Sequence, residues 1–155
     1  MKGELIVKID ALVMPYLAKT EISATPEKWS EEITSIKEMF VEEDIYTVGP
    51  IIYTEVPIGL DEKSYITYIP INQEIDKSDF NIEFLQSIEL FPTISHKCFE
   101  KEEFDEVYQK IRNFSMENNI ILKEQPFYHV ILEYAGGHLY EIHAEVDLDR
   151  TEINE

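Results

Sequence analysis

The sequence predicts an α+β fold: one β-α-β-β unit used twice, giving a mixed or antiparallel sheet with two helices packed on one face. Three observations predict it. Two amphipathic stripes at helical spacing stand far apart, Trp29/Ile33/Ile36/Phe40 and Phe104/Val107/Tyr108/Ile111/Phe114. Each is followed by two β-branched and aromatic runs joined by a short connection. The intervals from Trp29 to Pro50 and from Phe104 to Pro126 are nearly equal.

The first strand is expected at Leu5–Ile9, an apolar, β-branched run. Thr25-Pro26 then opens the first helix, with a capping hydroxyl followed by a proline whose missing N–H costs nothing at the first helical position. Tyr46–Glu55, interrupted by Gly49-Pro50, and Ser64–Ile71 are expected to pair as a hairpin around Gly59-Leu60-Asp61. In the second half Ile88–Ser95 is a strand in which Pro92 implies an edge or a bulge. The second helix should run out near Asn118-Asn119. Pro126–Tyr134 and Leu139–Val146 make the last hairpin, turned by Gly136-Gly137. The expectation is a single domain with pseudo-repeat halves at about 1–75 and 85–148, and an acidic tail at 149–155.

The chain has 155 residues, 32 acids against 13 bases and a formal net charge of -19, with 44% hydrophobic residues. A chain so acidic but poor in apolar residues would stay disordered; this one has material for a core, so its charge belongs outside a folded body. Nucleic acid is excluded as a direct partner, because phosphate binding needs a basic patch. A basic protein or a cationic small molecule fits instead, since a strong field speeds encounter with the opposite charge. Lys8 and Asp10 break the N-terminal apolar run, and no stretch reaches the roughly 20 apolar residues that span a bilayer. With Cys98 as its one cysteine, the chain is expected in the cytoplasm, away from membranes.

The acidic excess is concentrated in two places, the first helix and the chain after Pro126, where Arg150 is the one base. Glu27, Glu31, Glu38 and Glu42 fall along one side of the first helix, away from its apolar stripe. Like charges at that spacing cost a few tenths of a kcal/mol per pair, and Glu42, Glu43 and Asp44 oppose the helix dipole. They are partner-binding candidates, with a merely solvated face as the alternative. In the last strand, alternation puts Glu141, His143 and Glu145 on one face and Tyr140, Ile142, Ala144 and Val146 on the other. The apolar set should pack under a helix, leaving the polar set on an open face. One histidine and two carboxylates invite a metal, but alternate strand residues stand about 7 Å apart, a wide span for one ion, so none is expected. Tyr53, Tyr65, Tyr68, Tyr128 and Tyr134 lie on strands and are candidates for a ligand-binding wall. His96 and Cys98 share a strand face without an identifiable oxyanion hole or orienting group, so Cys98 reads as a buried structural cysteine. There is no zinc-ligand spacing, phosphate-cradling loop or nucleophile elbow. No catalytic residue, cofactor or enzymatic activity is expected.

The chain resembles the GyrI-like family, the bacterial effector-binding domain superfamily. The resemblance rests on Thr47-Val48-Gly49-Pro50, on Tyr65–Ile71, on His96 after the third strand block and on Tyr140-Glu141-Ile142-His143 in the last strand. It implies two halves forming a concave cleft that binds amphipathic, often cationic, small molecules or docks onto a protein, with Glu141 as the acidic residue facing the cleft. Two positions depart from the family's pattern: Lys97 follows His96 where glycine is typical, and Glu145 stands where the last strand often ends in proline. The chain also looks like the small acidic proteins of this fold beside LXG-type toxins, some of which are immunity proteins. That narrower resemblance implies sequestration of a basic toxin domain by an acidic surface. The leading expectation is thus an acidic immunity-type protein. A small-molecule domain, with Tyr53, Tyr65, Tyr68, Tyr128, Tyr134, Glu141 and His143 in its cleft, is the alternative, and hydrolysis in that cleft a third.

Overall fold

A computed structural model describes residues 6–75 and 82–151 of the chain. Six strands and two helices follow one another as β1 (Lys8–Ala24), α1 (Pro26–Glu42), β2 (Ile52–Pro57), β3 (Lys63–Pro70), β4 (Ile82–Cys98), α2 (Phe104–Glu117), β5 (Tyr128–Tyr134) and β6 (Gly137–Glu145). The α+β class and the order of elements are those expected. The chain divides into two units, one of Met14–Ile88 and one of Met1–Val13 with Glu89–Glu155; they are called here the α1 unit and the α2 unit. No helix among the described residues is long and apolar enough to cross a membrane.

In the α1 unit, β3 is central and pairs antiparallel with β1 (Ile22 opposite Tyr65, Thr20 opposite Thr67) and with β2 (Tyr53 opposite Thr67). Residues opposite each other share a sheet face, so Ile22, Tyr53, Tyr65 and Thr67 all point to one side, where α1 lies. The Thr25 side chain caps α1 by accepting the Lys28 N–H at 3.3 Å, and Pro26 occupies the first turn. Trp29, Ile33 and Phe40 are buried, and Ile36 is half-buried at the margin of the stripe. The Trp29 ring stacks on Tyr65 at 4.7 Å and meets Tyr53 at 4.9 Å, while its indole N–H donates to the Thr67 hydroxyl at 2.9 Å.

In the α2 unit, β6 is central between β4 and β5. Its apolar set, Tyr140, Ile142, Ala144 and Val146, joins Ile94 and Cys98 of β4 and Phe104, Val107 and Ile111 of α2 in one buried cluster. Phe104 meets the Tyr140 ring edge-on at 5.0 Å. A 3₁₀ turn at Lys101–Glu103 leads into α2, and the Glu103 carboxylate accepts the N–H groups of Phe99 and Glu100 at 3.0 and 2.9 Å. The β5–β6 hairpin closes over Gly136, whose φ of 99° lies in the region glycine occupies without steric cost.

The long strands depart from expectation. Leu5 of the expected first strand lies outside the described residues, Ile6 and Val7 are not paired, and β1 runs instead for 17 residues from Lys8. Its alternation is broken at Pro15-Tyr16, where Tyr16 takes φ 49° and its carbonyl accepts the Ile71 N–H at 2.9 Å; that break hides the strand from a period-two reading. β4 likewise begins at Ile82 rather than Ile88. Pro92 stands at the end of the β4–β6 ladder, next to Thr93 opposite Glu145, and its carbonyl accepts the Val146 N–H at 3.1 Å, a bond that does not use its missing N–H. β2 starts at Ile52, because Thr47 makes a single bridge to Ile71 and Gly49-Pro50 interrupts the pairing. Of the expected acidic tail, residues 152–155 lie outside the described residues.

Trp29 offers a direct test of the α1 unit. Replacement by Phe keeps the ring but leaves the buried Thr67 hydroxyl without its donor, and should cost about 1–3 kcal/mol in urea denaturation. Adding Thr67→Val should recover part of that loss, since removing both partners is closer to neutral than removing one.

Candidate functional site

The β6 side chains turned away from α2 are Glu141, His143 and Glu145. The β4 register places Lys97 opposite Glu141, Ser95 opposite His143 and Thr93 opposite Glu145, and the β5 register places Tyr128 opposite His143. The helix-free face of the α2 unit therefore collects Thr93, Ser95, Lys97, Tyr128, Glu141, His143 and Glu145. Asp10, from the part of β1 that belongs to this unit, joins them.

These groups are tightly connected. The His143 ring is fully buried, with Nδ1 2.8 Å from the Thr93 hydroxyl and Nε2 2.6 Å from Glu141 Oε1. A neutral ring that donates from Nε2 to Glu141 accepts the Thr93 hydroxyl at Nδ1. Asp10 accepts the Ser95 hydroxyl at 2.8 Å and its neighbour Ala11 N–H at 2.8 Å. Lys97 approaches Glu141 at 3.7 Å and Lys8 approaches Asp10 at 3.8 Å, both long and partly exposed ion pairs. The hydrogen bond from His143 holds the Glu141 carboxyl below its ordinary range, against the upward push of burial and the repulsion of Asp10. Burial also pushes the Asp10 carboxyl up, but the Ala11 N–H, the Ser95 hydroxyl and the nearby His143 and Lys8 outweigh it and hold it low. Both groups are set up to stay charged while partly withdrawn from water.

Expectation and structure part company at several residues. His143, expected on an open face, is buried, because Thr93 and Glu141 satisfy both ring nitrogens and remove the cost of taking it out of water. Glu145, a partner-binding candidate, is engaged within its own unit, accepting from Lys123 at 2.8 Å and Gln125 at 2.9 Å. The 7 Å step between alternate residues does not separate Glu141 from His143, since their flexible side chains lean together, and Asp10 adds a third donor atom; the three lie within 4.8 Å of one another. Tyr53 and Tyr65 are packed beneath α1 on Trp29 rather than lining a surface. Tyr68 is buried on the opposite face of β3 from Thr67, and Tyr134 is half-exposed at the β5–β6 tip, beside a shallow groove of about 330 Å³ lined also by Ile131, Glu133 and His138. Of the tyrosines, Tyr128 shares the face of Glu141 and His143. Glu27, Glu31, Glu38 and Glu42 are all exposed on α1, where Lys28 approaches Glu31 at 3.9 Å.

Asp10, Thr93, Ser95 and Lys97 are absent from the sequence-based candidates. Their role depends on the β4–β6 register and on the placement of β1, neither of which a local pattern encodes; an aspartate amid apolar residues is the one available signal. Cys98 fits its structural reading. It is 3% exposed, lies in the α2 core, and burial pushes its thiol up to about 12. In native protein at pH 8, alkylation by iodoacetamide should run at least about a hundredfold slower than in urea. Comparable rates in the two states would place Cys98 within reach of solvent.

Residues 12–150 match the family described as "Domain of unknown function (DUF5085)". No curated protein sequence matches the chain. Among solved structures, the C-terminal domain of EcmrR superposes with a TM-score of 0.68 at 9% identity, covering 92% of this chain and 98% of that domain. EcmrR in its complex with DNA gives a TM-score of 0.69 at 10% identity, covering 91% of this chain but 57% of that polypeptide, so this chain spans just over half of it. A hydrolase from Listeria innocua gives a TM-score of 0.64 at 8% identity, covering 90% of this chain and 92% of its own. At these identities the likeness is one of fold alone.

Proposed function

We propose, for a chain that belongs to the DUF5085 family, a role as a non-catalytic effector-binding domain that receives a cationic small molecule on the helix-free face of its α2 unit. The observation that carries this reading is the half-buried Glu141 carboxylate, kept charged beside a second carboxylate, Asp10, with the Tyr128 ring on the same face. The lysine contacts of these two carboxylates, from Lys8 and Lys97, are long and partly exposed, so both carboxylates keep room for a closer positive partner. A positive ligand supplies one, and an aromatic face adds cation–π attraction to it. The β-α-β-β order of elements in both halves of the chain is what a duplicated effector-binding domain requires. A single cysteine suits a cytoplasmic site of action.

The test is a titration with a lipophilic quaternary ammonium dye, followed by fluorescence, with an anionic dye of similar size as control. The cationic dye alone should bind, and Glu141→Gln should weaken it roughly tenfold or more, the scale of a lost charge contact. Equal binding of the two dyes, or no effect of Glu141→Gln, would sink the reading.

A second reading is favoured by α1. Its exposed acids Glu27, Glu31, Glu38 and Glu42 give a basic protein partner a negative surface, in keeping with the immunity role that the narrower resemblance implies. Reversing Glu31, Glu38 and Glu42 to Lys together should abolish low-salt capture of such a partner without altering thermal stability. Undiminished capture would make α1 a solvated face only.

A further inference from the structure

The same face of the α2 unit holds a donor set that an organic cation does not need. From its geometry we infer that Asp10, Glu141 and His143 form a binding site for a divalent first-row transition metal ion of the zinc type. Their ligand atoms, two carboxylate oxygens and one imidazole nitrogen, come from positions far apart in sequence and converge to within 4.8 Å of one another. Metal–oxygen and metal–nitrogen bonds of about 2.0–2.2 Å put two ligands of one tetrahedral ion roughly 3.3–3.6 Å apart. Taking an ion therefore asks His143 Nε2 and Glu141 Oε1 to part from their 2.6 Å hydrogen bond while Asp10 closes in, side-chain shifts on the order of 1 Å.

Each donor is also held from behind by a group that does not compete for the ion. Thr93 supports His143 at Nδ1, leaving Nε2 turned toward Glu141. Ser95 and the Ala11 N–H fix Asp10. Lys97 is the outer contact of Glu141, on Oε2, while Oε1 faces His143. An outer hydrogen bond to each ligand is the arrangement that orients metal sites and raises their affinity. The Thr93 hydroxyl suits either state of the ring. It donates to Nδ1 while Nε2 carries the proton, and accepts from Nδ1 when Nε2 gives its lone pair to a metal. Such a change moves one proton between the two ring nitrogens and alters no net charge.

The donor chemistry sets the class of ion. Calcium and magnesium prefer all-oxygen shells, whereas a set containing imidazole favours zinc, copper, iron or nickel. Three protein ligands leave at least one coordination position open, as in zinc sites that bind an exogenous group rather than closed structural ones. The inference concerns the face proposed for the effector but does not require an organic ligand to exist.

Isothermal titration of chelator-treated full-length protein with ZnCl₂, alongside MgCl₂ and CaCl₂, tests it. Zinc should bind with one-to-one stoichiometry and raise the melting temperature, while magnesium and calcium should do neither at equal concentration. Asp10→Asn and Glu141→Gln keep shape and should each weaken zinc at least about tenfold; CoCl₂ should give visible d–d bands that both variants diminish. No saturable zinc binding by the wild-type chain would overturn the assignment, as would unchanged affinity in both variants, which would place the ion elsewhere. The cationic-dye titration, run on the same chelator-treated protein, separates the two readings. Dye binding without zinc binding removes the metal site and keeps the effector, and zinc binding without dye binding does the reverse.

Discussion

Everything in the α2 unit depends on one constraint: β6 is hydrogen-bonded on both edges, to β4 and to β5. A strand paired on both sides cannot slip by one residue without turning every side chain to the wrong face. The register sends Tyr140, Ile142, Ala144 and Val146 into the cluster under α2, and a slip would expose Tyr140, Ile142 and Val146 together. The same register sends Glu141 and His143 to the opposite face and sets Lys97 and Ser95 directly across from them. The polar site is thus specified by the apolar core on the far side of the strand. Hydrophobic packing fixes the positions, and hydrogen bonds then fix the orientations.

Burying an imidazole and withdrawing two carboxylates from water opposes folding unless each polar atom finds a partner. Among the described residues the network on this face satisfies both nitrogens of His143, whereas His96, on the α2 side of β4, keeps a buried Nδ1 with no hydrogen-bond partner. The contrast separates two kinds of buried histidine in one strand pair. His143 is part of a directional chain from Thr93 to Glu141, with Asp10 alongside. A site that keeps two acids charged at close quarters stores a preference for a positive visitor, and this preference is what the proposed functions share.

The apolar framework was legible in the sequence and the polar network was not, for a definite reason. Trp29, Ile33 and Phe40, or Phe104, Val107 and Ile111, announce themselves because burial imposes a helical period on neighbouring residues. Thr25-Pro26 and Gly136 announce themselves because few residues tolerate their backbone positions. Alternation along β6 was readable too, and it divided the faces as found. What alternation cannot convey is what lies across from a strand or over it. Thr93 and Ser95 read as ordinary strand residues until the β4–β6 register is known, and Asp10 reads as a break in an apolar run until β1 is placed. The tyrosines mislead for a related reason: Tyr53 and Tyr65 suit a ligand wall and a core equally well, and Trp29 decides between them.

The net charge of -19 takes on a narrower meaning beside this geometry. At physiological ionic strength, charges are screened over about 8 Å, so most of the 32 acids cannot hold a cation at Glu141. They can raise the rate at which cations arrive, because a negative field concentrates them near the surface. Affinity has to come from the few groups in direct reach, Asp10, Glu141 and His143, acting where water is partly excluded. The distribution of acids fits such a division. Glu145 is spent on Lys123 and Gln125, and the α1 acids stand in solvent, while the two carboxylates beside His143 are the ones held low and partly buried. Added salt should therefore slow capture of a cation far more than it hastens release.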